Sequence, residues 1–200
     1  MIKILAGEQI KQSLYSVIEE VGKEKIRTEI TSNIKSSRKY LDFIMKRCIT
    51  KLASESNGEE EDDYFYGTVV TTLSEALLHF MLTICTLPSE RKILIKDDLV
   101  VDVIIPNLQS LKTKSDKSVI IQIIKEKPEL NKISQLEFLQ PNHKNIWLIS
   151  AKPVSTTKYT AYYLLPSAKL NNNNNKFSNI IIDIDNFLRQ TGDKSLRFIH

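Results

Sequence analysis

Four apolar, β-branched runs separated by short polar breaks fill the middle of this 200-residue chain: KILIK (Lys92 to Lys96), LVVDVIIP (Leu99 to Pro106), SVIIQIIK (Ser118 to Lys125) and NIWLISA (Asn145 to Ala151). Residues of this type favour extended backbone, because branched side chains pack well on a pleated surface. The first two runs are joined by Asp97 and Asp98 and read as a tight hairpin. The third is apolar on both faces, which predicts a central strand covered on both sides. YTAYYLL (Tyr159 to Leu165) reads as a fifth strand.

Helical patterns supply the cover. Over residues 8 to 54, Ile10, Leu14, Val17 and Val21, then Ile26, Ile30 and Ile34, then Leu41, Ile44 and Cys48, form one stripe at helical spacing, with breaks suggested at Gly22 and at Ser36–Ser37. This predicts a helical hairpin packed on the rest of the chain, with coiled-coil-like surface left for a protein partner or a second copy. A second helix is expected over 68–87, buried on most sides and ended by Pro88. A short helix from Pro128 to Leu139 carries Leu130, Ile133, Leu136 and Leu139. The fold class expected is therefore α/β: a mixed central sheet flanked by helices, preceded by an N-terminal helical hairpin.

Composition divides the chain further. SESNGEEEDDYFY, with Glu59, Glu60, Glu61, Asp62 and Asp63 in one run, reads as a solvated acidic linker. The expected division is residues 1–56 as the helical arm, 57–67 as the linker and 68–200 as the α/β domain. Asn171 to Asn175 reads as a loop. NIIIDIDNFLRQTGD after it reads as a short strand turning into a helix with Asp183 or Asp185 as N-cap, and Leu196 to Ile199 as a last strand or tail. The net charge of +4 is compatible with nucleic acid as partner without demanding it, and a solvated lysine-rich surface gives the same number. KTKSDK reads as a basic loop, so Lys112, Lys114 and Lys117, with Lys127, are the candidate nucleic-acid contacts. The two cysteines, Cys48 and Cys85, lie in apolar helical patterns and read as buried free thiols. No stretch is read as reaching the roughly 18 apolar residues of a membrane span, so no membrane partner is expected and the localisation expected is cytoplasmic.

Two carboxylates stand out. Glu75 lies in mid-helix among apolar neighbours, and Asp102 interrupts an apolar strand. A carboxylate so placed is costly unless paired or metal-bound. Lys125 ends the central strand. The order helix, strand, strand, strand, helix, strand, with Glu75 in the first helix, Asp102 in the second strand and Lys125 closing the third, resembles the PD-(D/E)XK nuclease superfamily, which includes Holliday-junction resolvases and many restriction enzymes. The resemblance covers roughly residues 68 to 165. It implies a phosphodiester-cutting site in which Glu75 and Asp102 hold Mg²⁺, Lys125 orients water and stabilises developing charge, and Gln135 on the following helix stands near the phosphate.

One position departs. With Lys125 in register, the acid of the (D/E)xK element falls on Ile123. Gln122, the possible substitute, points to the opposite face of an undistorted strand, and Glu126 is the other candidate. The expectation is a nuclease-fold protein with a degenerate site, binding DNA or a protein partner without cutting and using no cofactor. An active Mg²⁺- or Mn²⁺-dependent nuclease with a rearranged site and a pure interaction scaffold remain as alternatives. His79, four residues after Glu75, reads as a core histidine, and Trp147, Tyr159, Tyr162 and Tyr163 as core aromatics.

Overall fold

A computed structural model of the chain describes residues 7–55, 65–96, 99–125, 129–151, 156–164 and 175–192. The elements are α1 (Gly7–Val21), α2 (Lys23–Ser32), α3 (Ser36–Glu55), α4 (Thr71–Ile84, entered through a wide helical turn over Phe65–Val70), β1 (Glu90–Lys96), β2 (Leu99–Ile105), α5 (Leu108–Thr113), β3 (Val119–Ile124), α6 (Glu129–Leu136), β4 (Ile146–Ser150), β5 (Thr160–Tyr163), β6 (Asn175–Lys176) and α7 (Ile180–Thr191).

The strands form one mixed sheet in the order β1-β2-β3-β4-β5-β6. β1, β2 and β3 pair antiparallel, while β3 to β6 run parallel. β3 is central as its two apolar faces required. Val119, Ile121 and Ile123 pack toward α1, α3, α4 and α7, and Ile120 and Ile124 toward Leu111 of α5 and Ile133 and Leu136 of α6. The sheet is thus covered on both faces, as a largely parallel sheet must be.

The N-terminal helices break where the sequence suggested. Gly22, at φ 92°, separates α1 from α2, and α3 begins at Ser36. α1 and α3 pack against each other and against α4. Ile10, Leu14, Leu41, Ile44 and Cys48 join Leu73, Leu77 and Met81 in the cluster that also holds the helical face of β3. Cys48 is buried and Cys85 half-buried, both as free thiols.

Several expectations need correction. Gly67–Ile84 is, by length and composition, apolar enough to cross a membrane, and 56% of it is buried inside the protein's own core. KTKSDK is not a loop: its first two residues close α5, and Ser115–Lys117 form a 3-10 turn. Asn107 makes this possible, because its side-chain oxygen accepts from the backbone N–H of Ser110 at 2.8 Å and caps α5. NIIID is helical from Ile180. The strand before it is only Asn175–Lys176, and neither Asp183 nor Asp185 is the cap, a position held by Asn179. Burial of Ile180, Ile181, Ile184 and Leu188 at helical spacing overrides the β-propensity of three consecutive isoleucines. Residues 97–98, 126–128, 171–174 and 193–200 lie outside the described residues, and with them the hairpin turn, most of the asparagine run, Glu126, Lys127, Leu196 to Ile199 and His200.

Candidate functional site

β2 and β3 form a ladder only from Ile105–Val119 to Val103–Ile121, and beyond that pair the strands share no further rung. Asp102 stands at the fork. Two features turn its side chain into the gap. Val101 packs on the α5–α6 side and Val103 on the helical side, so the two-residue alternation of β2 is broken at Asp102. Opposite, between the pairs Arg91–Val103 and Ile93–Val101, Lys92 of β1 has φ 50°, a left-handed conformation rare for a residue with a side chain.

The Asp102 carboxylate replaces the missing rung. Its Oδ2 accepts from the backbone N–H of Ile123 at 2.8 Å and from Nε2 of Gln122 at 2.7 Å. Its Oδ1 lies 2.6 Å from Nζ of Lys92. The same ammonium lies 2.8 Å from Oε1 of Glu75, on the face α4 presents to the sheet. Lys125, leaving the end of β3, places its Nζ 3.4 Å from Oε2 of Glu75. Glu75, Asp102 and Lys125, singled out in the sequence, therefore meet at one point, and Lys92 joins them.

Burial pushes the Glu75 carboxyl upward, but the ammonium groups of Lys92 and Lys125 outweigh it and hold the group below its usual value. Burial pulls Lys92 downward, but hydrogen bonds to Asp102 and Glu75 outweigh it and raise its pKa. Both signs describe a charged, mutually satisfied cluster.

Ile123 is 1% exposed and belongs to the apolar cluster on the helical face. Gln122 reaches Asp102 without any shift of register, because the two are cross-strand neighbours and Asp102 leans into the fork. It turns its NH₂ to the carboxylate, and its own Oε1 is buried and accepts no hydrogen bond among the described residues.

Other sequence candidates stay apart. Gln135 is exposed on α6, which packs against the far face of the sheet from α4. Lys112, Lys114 and Lys117 are exposed at the opposite end of β2 and β3 from the fork. β3 alone, at ~3.3 Å per residue, sets its first residue, next to the turn that holds Lys117, roughly 13 Å from Ile123. His79 is exposed rather than in the core. Trp147 and Tyr162 do pack in the core, with ring centroids 5.5 Å apart, and Trp147 meets Phe187 edge-on at 6.3 Å. Tyr163 is buried, whereas Tyr159 is half-buried and donates its hydroxyl to Glu137.

A phosphodiester-cutting site of this fold implies Mg²⁺. Mg²⁺ takes oxygen ligands in near-octahedral geometry. The fork offers two carboxylates, each already committed to Lys92, and a hydrocarbon at the third position. Among the described residues no group of three or more His, Cys, Asp or Glu side chains is placed to hold a metal. The described residues, as arranged, do not fit a divalent ion.

No protein-family model and no curated protein matches the sequence. Solved structures do match in fold. The chain is similar to restriction endonuclease PspGI in its complex with substrate DNA, with TM-score 0.56 and 13% identity over 95% of this chain and 98% of that one. It is also similar to metal-depleted Ecl18kI in complex with uncleaved DNA, with TM-score 0.53 and 12% identity over 93% of this chain and 86% of that one. The chain has the PD-(D/E)XK, restriction-endonuclease-like fold. Whereas the sequence resemblance spanned residues 68 to 165, the likeness of fold takes in the N-terminal helices as well.

Proposed function

We propose that this chain is a nuclease-fold protein that binds DNA and does not cut it, in a regulatory or DNA-transaction role. The observation that carries the reading is the fork itself. Glu75, Asp102 and Lys125, which the sequence resemblance matches to a phosphodiester-cutting site, meet at one point, and the buried Ile123 falls where that resemblance expects a carboxylate.

Hydrolysis of a phosphodiester needs a hard cation to polarise the phosphoryl oxygen and to lower the pKa of an attacking water. Ile123 offers no oxygen, and each carboxylate oxygen at the fork already contacts a protein donor. Binding needs less. The side chains of Lys92 and Lys125 are 46% and 36% exposed, so both ammonium groups border solvent at the open end of the fork. A DNA backbone lying there exchanges condensed counterions for these cations. Lys112, Lys114 and Lys117 make a second cationic surface at the far end of the sheet. The two similar endonucleases, both described in complex with DNA, support the same reading.

Supercoiled plasmid incubated with the protein in Mg²⁺ or Mn²⁺ is expected to remain uncut while being retarded in a gel. Nicking or linearisation that disappears in Asp102→Ala would overturn the non-cutting half of the reading. The convergence of Glu75, Asp102 and Lys125 favours one second reading, an active nuclease with a rearranged site, and this experiment decides between them.

A further inference from the structure

We infer that Lys92 is a tethered cation that takes the place of a divalent ion in the fork, so that its ammonium group does structurally what a bound metal does in a cutting site. The inference deepens the reading of the fork as a nuclease-fold site and rests on it.

Four observations point the same way. First, the ammonium nitrogen lies between one oxygen from each acid, 2.8 Å from Glu75 and 2.6 Å from Asp102. A cation shared by two carboxylates from different elements is the arrangement a hard metal ion imposes, at the longer distances of N–H···O contacts. Second, the backbone of Lys92 is held at φ 50°, a conformation that costs energy for any side chain but glycine and persists where surrounding contacts over-determine it. Third, the remaining oxygens are taken: Oδ2 of Asp102 by two N–H donors and Oε2 of Glu75 by Lys125. Fourth, the amide of Gln122 faces Asp102 with its nitrogen, the orientation that serves a carboxylate and not a cation, and its buried oxygen meets no donor among the described residues. The described groups around the fork are turned for a proton-bearing cation supplied by the chain.

The consequence is a site that needs no metal to balance its charge and in which each oxygen of the two acids already contacts a donor while Lys92 is in place. Replacing Lys92 by methionine keeps an unbranched side chain one atom shorter and removes its charge. Glu75 then keeps only Lys125 and Asp102 only its two N–H donors, and the loss of the shared cation lowers stability and creates affinity for a divalent ion at one stroke.

The test uses the full chain, without DNA, and Mn²⁺ as the probe, read by the electron paramagnetic resonance of free Mn²⁺ and by thermal unfolding. The wild-type protein is expected to show no saturable Mn²⁺ binding at roughly millimolar ion, the weak end of oxygen-ligand sites, and no shift in Tm. Lys92→Met is expected to melt lower in EDTA, to bind one Mn²⁺, and to recover roughly 5–10 °C at a hundredfold excess over its dissociation constant. One Mn²⁺ bound by the wild type and lost in Glu75→Gln would overturn the inference. So would a folded Lys92→Met that binds no Mn²⁺. Should Lys92→Met fail to fold, Lys92→Gln takes its place, and the wild-type titration alone remains decisive. Because no DNA is present, a failure here is separable from a failure to bind DNA, which would instead sink the functional reading.

Discussion

Replacing Asp102 by alanine separates a structural carboxylate from a metal ligand. In a metal site examined without its metal, removing one of two clustered acids relieves repulsion and commonly leaves the protein as stable or more so. In this fork the acid is a hub. Asp102→Ala strips the acceptor from the backbone N–H of Ile123 and from Nε2 of Gln122, in a region where Asp102 and Gln122 are 6% and 8% exposed. Each buried donor left unpaired costs about 1–3 kcal/mol. The contact with Lys92 adds little, because the lysine side chain is half-exposed and retains Glu75, so about 0–1 kcal/mol is the fair allowance. The sum is about 2–7 kcal/mol, and water entering the space left by the carboxylate brings it toward the lower end, about 3 kcal/mol. For a chain of this size that corresponds to a fall in Tm of roughly 6–12 °C. Thermal and urea unfolding, both in EDTA, measure it. A variant as stable as the wild type, or more stable, would refute the reasoning, because Asp102 would then be a strained ligand waiting for an ion.

Glu75→Gln should lower stability at neutral pH but not in acid. The folded pKa of Glu75 is depressed below its ordinary 4.5, so its contribution is complete above that value and is lost as the pH falls through the folded pKa. The gap between wild type and variant in urea midpoint should close below pH about 4.5, and a gap independent of pH would remove the ionic account. Burial raises the thiols of both Cys48 and Cys85 to about 12, so neither should react appreciably with iodoacetamide at pH 7 until the protein is unfolded, and rapid labelling of the native protein would contradict the packing described. Replacing Lys112, Lys114 and Lys117 together by alanine should weaken binding to every DNA sequence alike and lower the salt dependence by up to about three phosphate contacts. Unchanged binding would assign the contact to the fork, with Lys92 and Lys125.

The parts of this architecture that follow from hydrophobic pattern were legible in the sequence. A run apolar on both faces had to be central, and β3 is. A buried carboxylate within an apolar strand or helix had to find partners, and Asp102 and Glu75 have them. Lys92 was not legible, and register explains why. A two-residue hairpin turn at Asp97–Asp98 would set Ile93 opposite Asp102. The pairing begins that way, at Lys96–Leu99, but an irregularity between Leu94 and Lys96 shifts the ladder by one and brings Lys92 opposite Asp102 instead. Gln122 was misjudged for a related reason. Strand alternation puts it on the face away from Ile123, but at a fork the carboxylate between the strands is reachable from that face too. The sequence offered the basic KTKSDK segment as a nucleic-acid contact, and only the topology shows that it lies at the end of the sheet away from the fork.

The most direct test of the central claim is a fluorescence-anisotropy titration of a labelled DNA duplex, repeated across a range of salt concentrations in EDTA and again in Mg²⁺ at matched ionic strength. The account predicts saturable binding in both, of equal affinity, with log K falling linearly against log salt. No binding even at low salt, or binding that appears only when Mg²⁺ is present, would contradict it.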